Sequence, residues 1–249
     1  MDAYEKMILN FRGLANYWPG YGDDSSTGIR DVKGQIHAST VLGSPNKGFK
    51  PIVNRGPGTV KDGKFSVNSD GTNTNGLTTG ASNVTGGADG IIGFTFMMNT
   101  IHTTGSSPGD WICGQNAGDG ANYMILSVYP SGVNIQAKPT VGIISTNQIV
   151  TVMPNKPYHC MIAYRNTSAV ITFSIDGGET FFNTIGISGN VAEIAPFKIA
   201  GDGTTSFNGR IERVWHVNAS ITGQCTADFF KNVHKVWMRS QKFSNRSTI

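Results

Sequence analysis

The sequence predicts an all-β domain, an antiparallel two-sheet sandwich with a short helix at either end. Three observations carry this. Gly accounts for 32 of 249 residues and charged residues for only 14%, against the usual ~7% and ~25%. Helical bundles and coiled coils need many Glu, Lys, Ala and Leu, so they do not fit. Hydrophobic residues at 38%, with 10% aromatic, supply a core that a disordered chain lacks. From residue 91 onward, short runs alternate apolar and polar residues between turn signals, with no long helical pattern among them.

Residues 3–15 place Tyr4, Met7, Ile8, Phe11 and Leu14 or Ala15 on one helical face, which predicts a short amphipathic helix. Trp18-Pro19-Gly20 ends it. Residues 20–90 are loop-rich, with strand candidates at 34–41 and 63–68. Residues 68–90, almost wholly Ser, Thr, Asn and Gly, read either as a surface excursion or as short strands. Strands follow at 91–98, 110–115, 121–129, 132–137, 148–153, 157–165, 168–176, 179–185, 194–200 and 207–217. In 168–176, Phe173 and Ile175 share the face expected to be buried. In 207–217, Ile211, Arg213, Trp215 and Val217 share one face, and Glu212, Val214 and His216 the other. A closing helix spans 226–237, its apolar stripe made by Phe229, Phe230, Val233, Val236 and Trp237. Thr222 or Thr226 is placed to cap it. The organisation is a helical segment 1–18, a sandwich 19–237 and a basic tail 238–249.

The net charge of +4 is uneven. Residues 231–249 hold Lys231, Lys235, Arg239, Lys242 and Arg246 and no acid, so the remainder sums to −1. A basic tail on a near-neutral body suits a solvated or partner-docked end more than a nucleic-acid-binding face. Cys113, Cys160 and Cys225 cannot all pair within one chain, and none has a zinc-ligand spacing. The polar start lacks the pattern of a signal peptide, and no apolar run approaches ~18 residues. The expectation is synthesis in a reducing cytosol without membrane insertion.

Seven segments in order carry a resemblance. Tyr4…Leu14-Ala15-Asn16-Tyr17-Trp18 is similar to a "Y…L…P-x-A-Y-W" opening, with Asn16 for the usual Ala. Residues 28–34 are similar to "A-x-D-x-x-G", and Phe94-Thr95-Phe96 to "F-T-(I/F)-x-x-W", with Met98 at the Trp position. Residues 158–164 are similar to "W-H-H-V-A-x-T-Y" and 173–177 to "L-Y-V-D-G". Residues 199–201 with 207–212 are similar to "I-G…F-x-G-x-I-D-E-V", and the closing helix to "L-S-x-x-E-I". The chain thus resembles the concanavalin A-like lectin/glucanase superfamily, in the laminin G-like and pentraxin-like form found in bacteriophage structural proteins. The resemblance implies a jelly-roll sandwich whose two chain ends meet, and it covers residues 4–237.

Hydrolases on this fold pair carboxylates on one strand, but Glu5, Glu179, Glu193 and Glu212 form no such motif. Gln35-Ile36-His37 matches a lyase triplet without its companion motifs, and His37 reads as a strand or loop residue. His159 and Cys160 are neighbours on a strand and point to opposite faces, so His159 reads as structural. The resemblance implies Ca²⁺ as a candidate ion, with Asp23, Asp24, Asp119 and Asp202 as ligands; the Asp-Gly pairs among them also read as turns. Trp111, Tyr123 and Tyr129, near strand ends, are candidates for stacking on sugar faces or for core packing.

The leading expectation is a non-enzymatic virion structural or decoration protein of a tailed bacteriophage. It would assemble in the host cytoplasm with other virion proteins and form a homo-oligomer. Docking would use Phe11, Trp18 and Trp237 together with the basic residues of 231–246. A glycan-binding receptor-recognition module is the alternative, and a carbohydrate-active enzyme the third reading.

Overall fold

The computed structural model describes the backbone of residues 1–19, 30–34, 37, 40–42, 46–47, 67–70, 76–78, 89–98, 110–116, 123–129, 132–138, 144–148, 152–164, 170–177, 180–186, 197–199, 208–218 and 226–244. Side chains are described for 1–19, 30–34, 37, 89–98, 152–164, 174–177, 199, 211–218 and 226–240.

In chain order the elements are α1 (Ala3–Leu9), β1 (Leu14–Trp18), β2 (Thr40–Leu42), β3 (Asn46–Lys47), β4 (Val67–Asp70), β5 (Gly76–Thr78), β6 (Gly90–Met98), β7 (Asp110–Asn116) and β8 (Tyr123–Tyr129). They continue as β9 (Gly132–Lys138), β10 (Ile144–Gln148), β11 (Pro157–Tyr164), β12 (Val170–Asp176), β13 (Thr180–Gly186), β14 (Phe197–Ile199), β15 (Asn208–Asn218) and α2 (Ala227–Ser244). Among the described residues all strand pairs are antiparallel and form two sheets. One runs β13-β12-β11-β6-β15-β4-β3, with β1 also on β15; the other runs β10-β9-β8-β7-β14-β5-β2.

The start of the chain departs from the expected helix. Asp2 caps α1 by accepting the Glu5 backbone N–H at 2.9 Å. Tyr4 and Ile8, one turn apart, are buried. The helix stops at Asn10, and Gly13 turns the chain with φ of 78°, a conformation that costs glycine little. Residues 14–18 are then a strand, not a helix. β1 pairs Tyr17 with Trp215 and Trp18 with Val214. The local spacing suits either period, and a free edge on β15 decides it.

β15 is also read differently. Its first half pairs β4 and its second half β1, end to end along one edge. On the other edge, Ile211 faces Phe96 and Glu212 faces Thr95, but Trp215 faces Gly93. The extra residue falls at Arg213, whose φ is 54°. Such a bulge shifts the side-chain alternation by one. Trp215 and Val217 therefore share a face with Glu212 rather than with Ile211.

That face of the large sheet lies under both helices. Ile91, Met161, Ala163, Trp215 and Val217 from the strands join Tyr4, Ile8, Leu14 and Tyr17 from the start of the chain and Phe230, Val233 and Trp237 from α2 in one apolar cluster. The opposite face, with Phe94, Phe96, Tyr158, Cys160, Ile162 and Ile175, is buried too. Phe173 pairs in register with Ile162; its side chain lies outside the described residues. The expected strand at 148–153 is displaced to β10, which ends at Gln148.

At the C-terminal end the Thr226 hydroxyl caps α2 by accepting the Phe229 N–H at 3.2 Å. The helix runs to Ser244, beyond the expected end at 237. Residues 238–244, expected as tail, are therefore helical.

Candidate functional site

Among the described residues, the densest polar arrangement lies between the helices and the large sheet. β11 presents His159, β12 presents Ser174, β15 presents Trp215, α1 presents Tyr4 and α2 presents His234. All five are fully buried. The Trp215 indole N–H donates to the Tyr4 hydroxyl at 2.8 Å. That hydroxyl lies 2.7 Å from His159 Nε2. His159 Nδ1 lies 2.8 Å from His234 Nδ1, and His234 Nε2 lies 2.6 Å from Ser174 Oγ. Trp237 stacks on the His159 ring at 5.4 Å between centroids.

Arg213 completes the attachment of α1. Its guanidinium meets the Asp2 carboxylate at 3.0 Å and lies over the Tyr4 ring at 5.7 Å. The bulge that re-aims this residue thus fixes the capping end of the helix. Burial lowers the pKa of both imidazoles, that of His234 to about 4, with the Asp176 carboxylate opposing the shift. Burial also raises the Tyr4 phenol. The five groups are therefore neutral at pH 7. Sealed from solvent, the chain of bonds holds the helices to the sheet.

A second buried chain runs from β11 to the loop after β1. The Tyr164 hydroxyl lies 2.8 Å from His216 Nε2, and His216 Nδ1 lies 3.3 Å from Asn16 Oδ1. Asn16 Nδ2 donates to Asp31 Oδ2 at 2.7 Å. Asp31 Oδ1 accepts the backbone N–H groups of Tyr17, Lys33 and Gly34 at 2.9–3.0 Å. Both of its oxygens are engaged in shaping the turn. His37 is exposed in a loop and accepts the Asp31 N–H at 3.1 Å.

Some of the expected site residues fall among those described. Asp23, Asp24, Asp119 and Asp202 lie outside the described residues, as does Arg246. Among the described residues no three His, Cys, Asp or Glu side chains gather as a metal site. Trp111 and Tyr129 fall at the same end of the β7–β8 pair, because Trp111 faces Ser127 and Asp110 faces Val128. A register shift beside Trp111 marks that end. Tyr123 faces Asn116 at the other end, about 20 Å away at ~3.4 Å per residue. Trp18 and Trp237, expected to dock a partner, are 0% and 3% exposed and pack inside the domain. Phe11 is half-buried against Trp215 and Phe229. Lys231, Lys235 and Arg239 are exposed on α2; Lys242 lies on the same helix, its side chain outside the described residues.

Tyr4, Ser174 and His234 escape a reading by sequence as functional positions. The one signal is His234 itself, a polar residue between Val233 and Trp237 in an otherwise apolar stripe.

Neither a protein-family model nor a curated protein sequence matches the chain. Solved structures do. Domain 4 of the extracellular arabinanase AbnA from Geobacillus stearothermophilus, in complex with arabinotriose, matches with a TM-score of 0.58 at 13% identity, covering 88% of this chain and 97% of that one. The binding domain of botulinum neurotoxin serotype D matches at 0.59 and 10% identity, over 88% of this chain and 52% of that one. The sialidase of Trypanosoma rangeli matches at 0.57 and 14% identity, over 90% of this chain and 32% of its own. The chain thus spans about half of the toxin domain and a third of the sialidase. At these identities the likeness establishes fold. The protein shares the antiparallel β-sheet fold of these domains.

Proposed function

We propose that the protein is a non-catalytic glycan-binding module, with its two sheets stacked as a jelly roll. The observation that carries this reading is the likeness over nearly the full length of both chains to a domain in complex with arabinotriose. Burial of both faces of the large sheet supports the stacking. The non-catalytic part is supported by the placement of the carboxylates. Glu5 and Glu212 are buried, and Asp31 is saturated by hydrogen bonds. Closure of the helix-covered face supports a site on the smaller sheet instead, at the strand ends that hold Trp111 and Tyr129. An aromatic pair there suits stacking on sugar rings.

A glycan array with the full chain tests the reading. Binding to at least one glycan is expected, lost in Trp111→Ala or Tyr129→Ala and kept in Tyr123→Ala. No binding across the array would reject the module, and turnover of a bound polysaccharide would reject the non-catalytic role.

A second reading, a virion decoration protein, is favoured by the resemblance of residues 4–18 to the opening of bacteriophage structural domains. The exposed Lys231, Lys235 and Arg239 would then face other virion proteins. The protein's presence in purified particles tests it, with removal of residues 245–249 and high salt expected to weaken the attachment.

A further inference from the structure

We propose that α1 and α2 form an acid-sensitive clasp: protonation of the His159–His234 pair undocks both helices while the strands stay paired. The bond chain beneath them has a fixed direction. An indole N–H can only donate, so Trp215 sets one end. The Tyr4 hydroxyl then donates to His159 Nε2, His159 Nδ1–H donates to His234 Nδ1, and His234 Nε2–H donates to Ser174. Every imidazole nitrogen is used with both rings neutral. The reverse direction would aim two donors at the Tyr4 oxygen and leave its own proton without an acceptor in the chain.

An added proton therefore has no place. On His234 it sets N–H against N–H across the 2.8 Å gap between the two Nδ1 atoms. Moving the conflict along the chain only brings it to Tyr4, where the Trp215 N–H already points. The surrounding charges offset it only in part. β12 contributes Asp176, β15 contributes Glu212 and Arg213, and α1 contributes Asp2 and Glu5. Asp2 is held by Arg213, and Arg213 also contacts Glu212 at 3.4 Å. β6 faces the pair with uncharged Thr95, the β13 sequence holds no ionisable residue, and Lys231, Lys235 and Arg239 of α2 point to solvent. Despite Asp176, burial pushes His234 down to about 4.

Undocking relieves the strain locally. α1 has 7 residues, too few to persist without its contacts, so it follows α2. His216, on the other face of the sheet, is held between Tyr164 of β11 and Asn16 of β1, so its release would part strands rather than lift α2. One imidazole that titrates at ~6.5 when released and about 4 when docked favours release roughly fiftyfold at pH 4.5 relative to pH 7.

Hydrogen exchange of the full chain at pH 7 and pH 4.5, corrected for intrinsic rates, tests this. Amides of Ala3–Leu9 and Ala227–Ser244 should lose at least tenfold protection at pH 4.5 while β6 and β11 hold theirs. Unchanged helix protection, or a joint loss in helices and strands, overturns the proposal. Nitrogen NMR of the wild-type histidines at pH 7 should show His159 protonated on Nδ1 and His234 on Nε2; any other pair of tautomers overturns the directed chain.

Discussion

The six-membered ring of Trp215 occupies the space that a side chain on Gly93 would need. A Cβ built there would lie 2.0 Å from Trp215 Cζ2 and 2.1 Å from Cε2. The two residues are direct cross-strand partners on β6 and β15, and the bulge at Arg213 brings the indole onto this position. Gly93→Ala should therefore destabilise the fold by ~1–3 kcal/mol, the usual cost of overpacking a core. Urea denaturation measures it. A change under ~0.5 kcal/mol would mean the ring moves aside freely.

Removing the Tyr4 hydroxyl leaves two buried partners unpaired, the Trp215 indole N–H and His159 Nε2. Tyr4→Phe should cost ~1–3 kcal/mol, since the desolvation of a buried polar group is then uncompensated. Tyr17→Phe is the control. Its hydroxyl makes only a 3.5 Å contact with Glu5, and it should cost less than Tyr4→Phe in the same thermal or urea melts.

Asp31 anchors the segment after β1 through four donors. Asp31→Asn keeps the shape but turns one oxygen into an NH₂ group facing Asn16 Nδ2, or facing three backbone N–H groups if the amide flips. The expected loss is ~1.5–3 kcal/mol, the range for hydrogen bonds to a charged group. Equal stability of the variant and the wild type in urea would contradict the saturated carboxylate.

Stability should fall as pH drops below the ordinary histidine range. Burial lowers the His216 pKa to about 3 from 6.5, so between these values the unfolded chain binds a proton that the folded chain refuses. The contribution of His216 is full above pH 6.5 and declines as pH falls toward 3, with a slope near ~1.4 kcal/mol per pH unit. His159 and His234 act in the same sense. Urea melts at pH 7 and pH 5 should show the loss, and His216→Gln should reduce the slope between them. A flat profile from pH 7 to 5 would require these imidazoles to be exposed.

The strands were legible where alternation is local. The expected runs at 91–98, 157–165 and 207–217 fall within a residue of β6, β11 and β15, because turn residues punctuate them. Facing was harder. The bulge at Arg213 shifts alternation by one, and nothing in the run 207–217 announces it. Leu14–Trp18 read as helix because Leu14 or Ala15 continues the spacing of Tyr4, Ile8 and Phe11, while its strand form depends on β15, 200 positions away in the Asn16–His216 contact. His159 and His234 lie 75 positions apart, on elements whose meeting only the fold decides. The candidate aromatics were legible as types, but their division between two strand ends follows from pairing register.

The seam between β1 and β15 bears on how the protein is made. Tyr4 meets Trp215 across 211 positions, so the opening segment emerges from a ribosome long before its partners exist. At ~5–20 residues per second, the wait is about 10–40 s. During it Tyr17 and Trp18 lack the strand that orders them and the helix beside them is too short to persist, an adhesive end in a crowded cell. Closure must be a late event in the maturation of the nascent chain, and a chaperone that covers the first 18 residues would govern its yield.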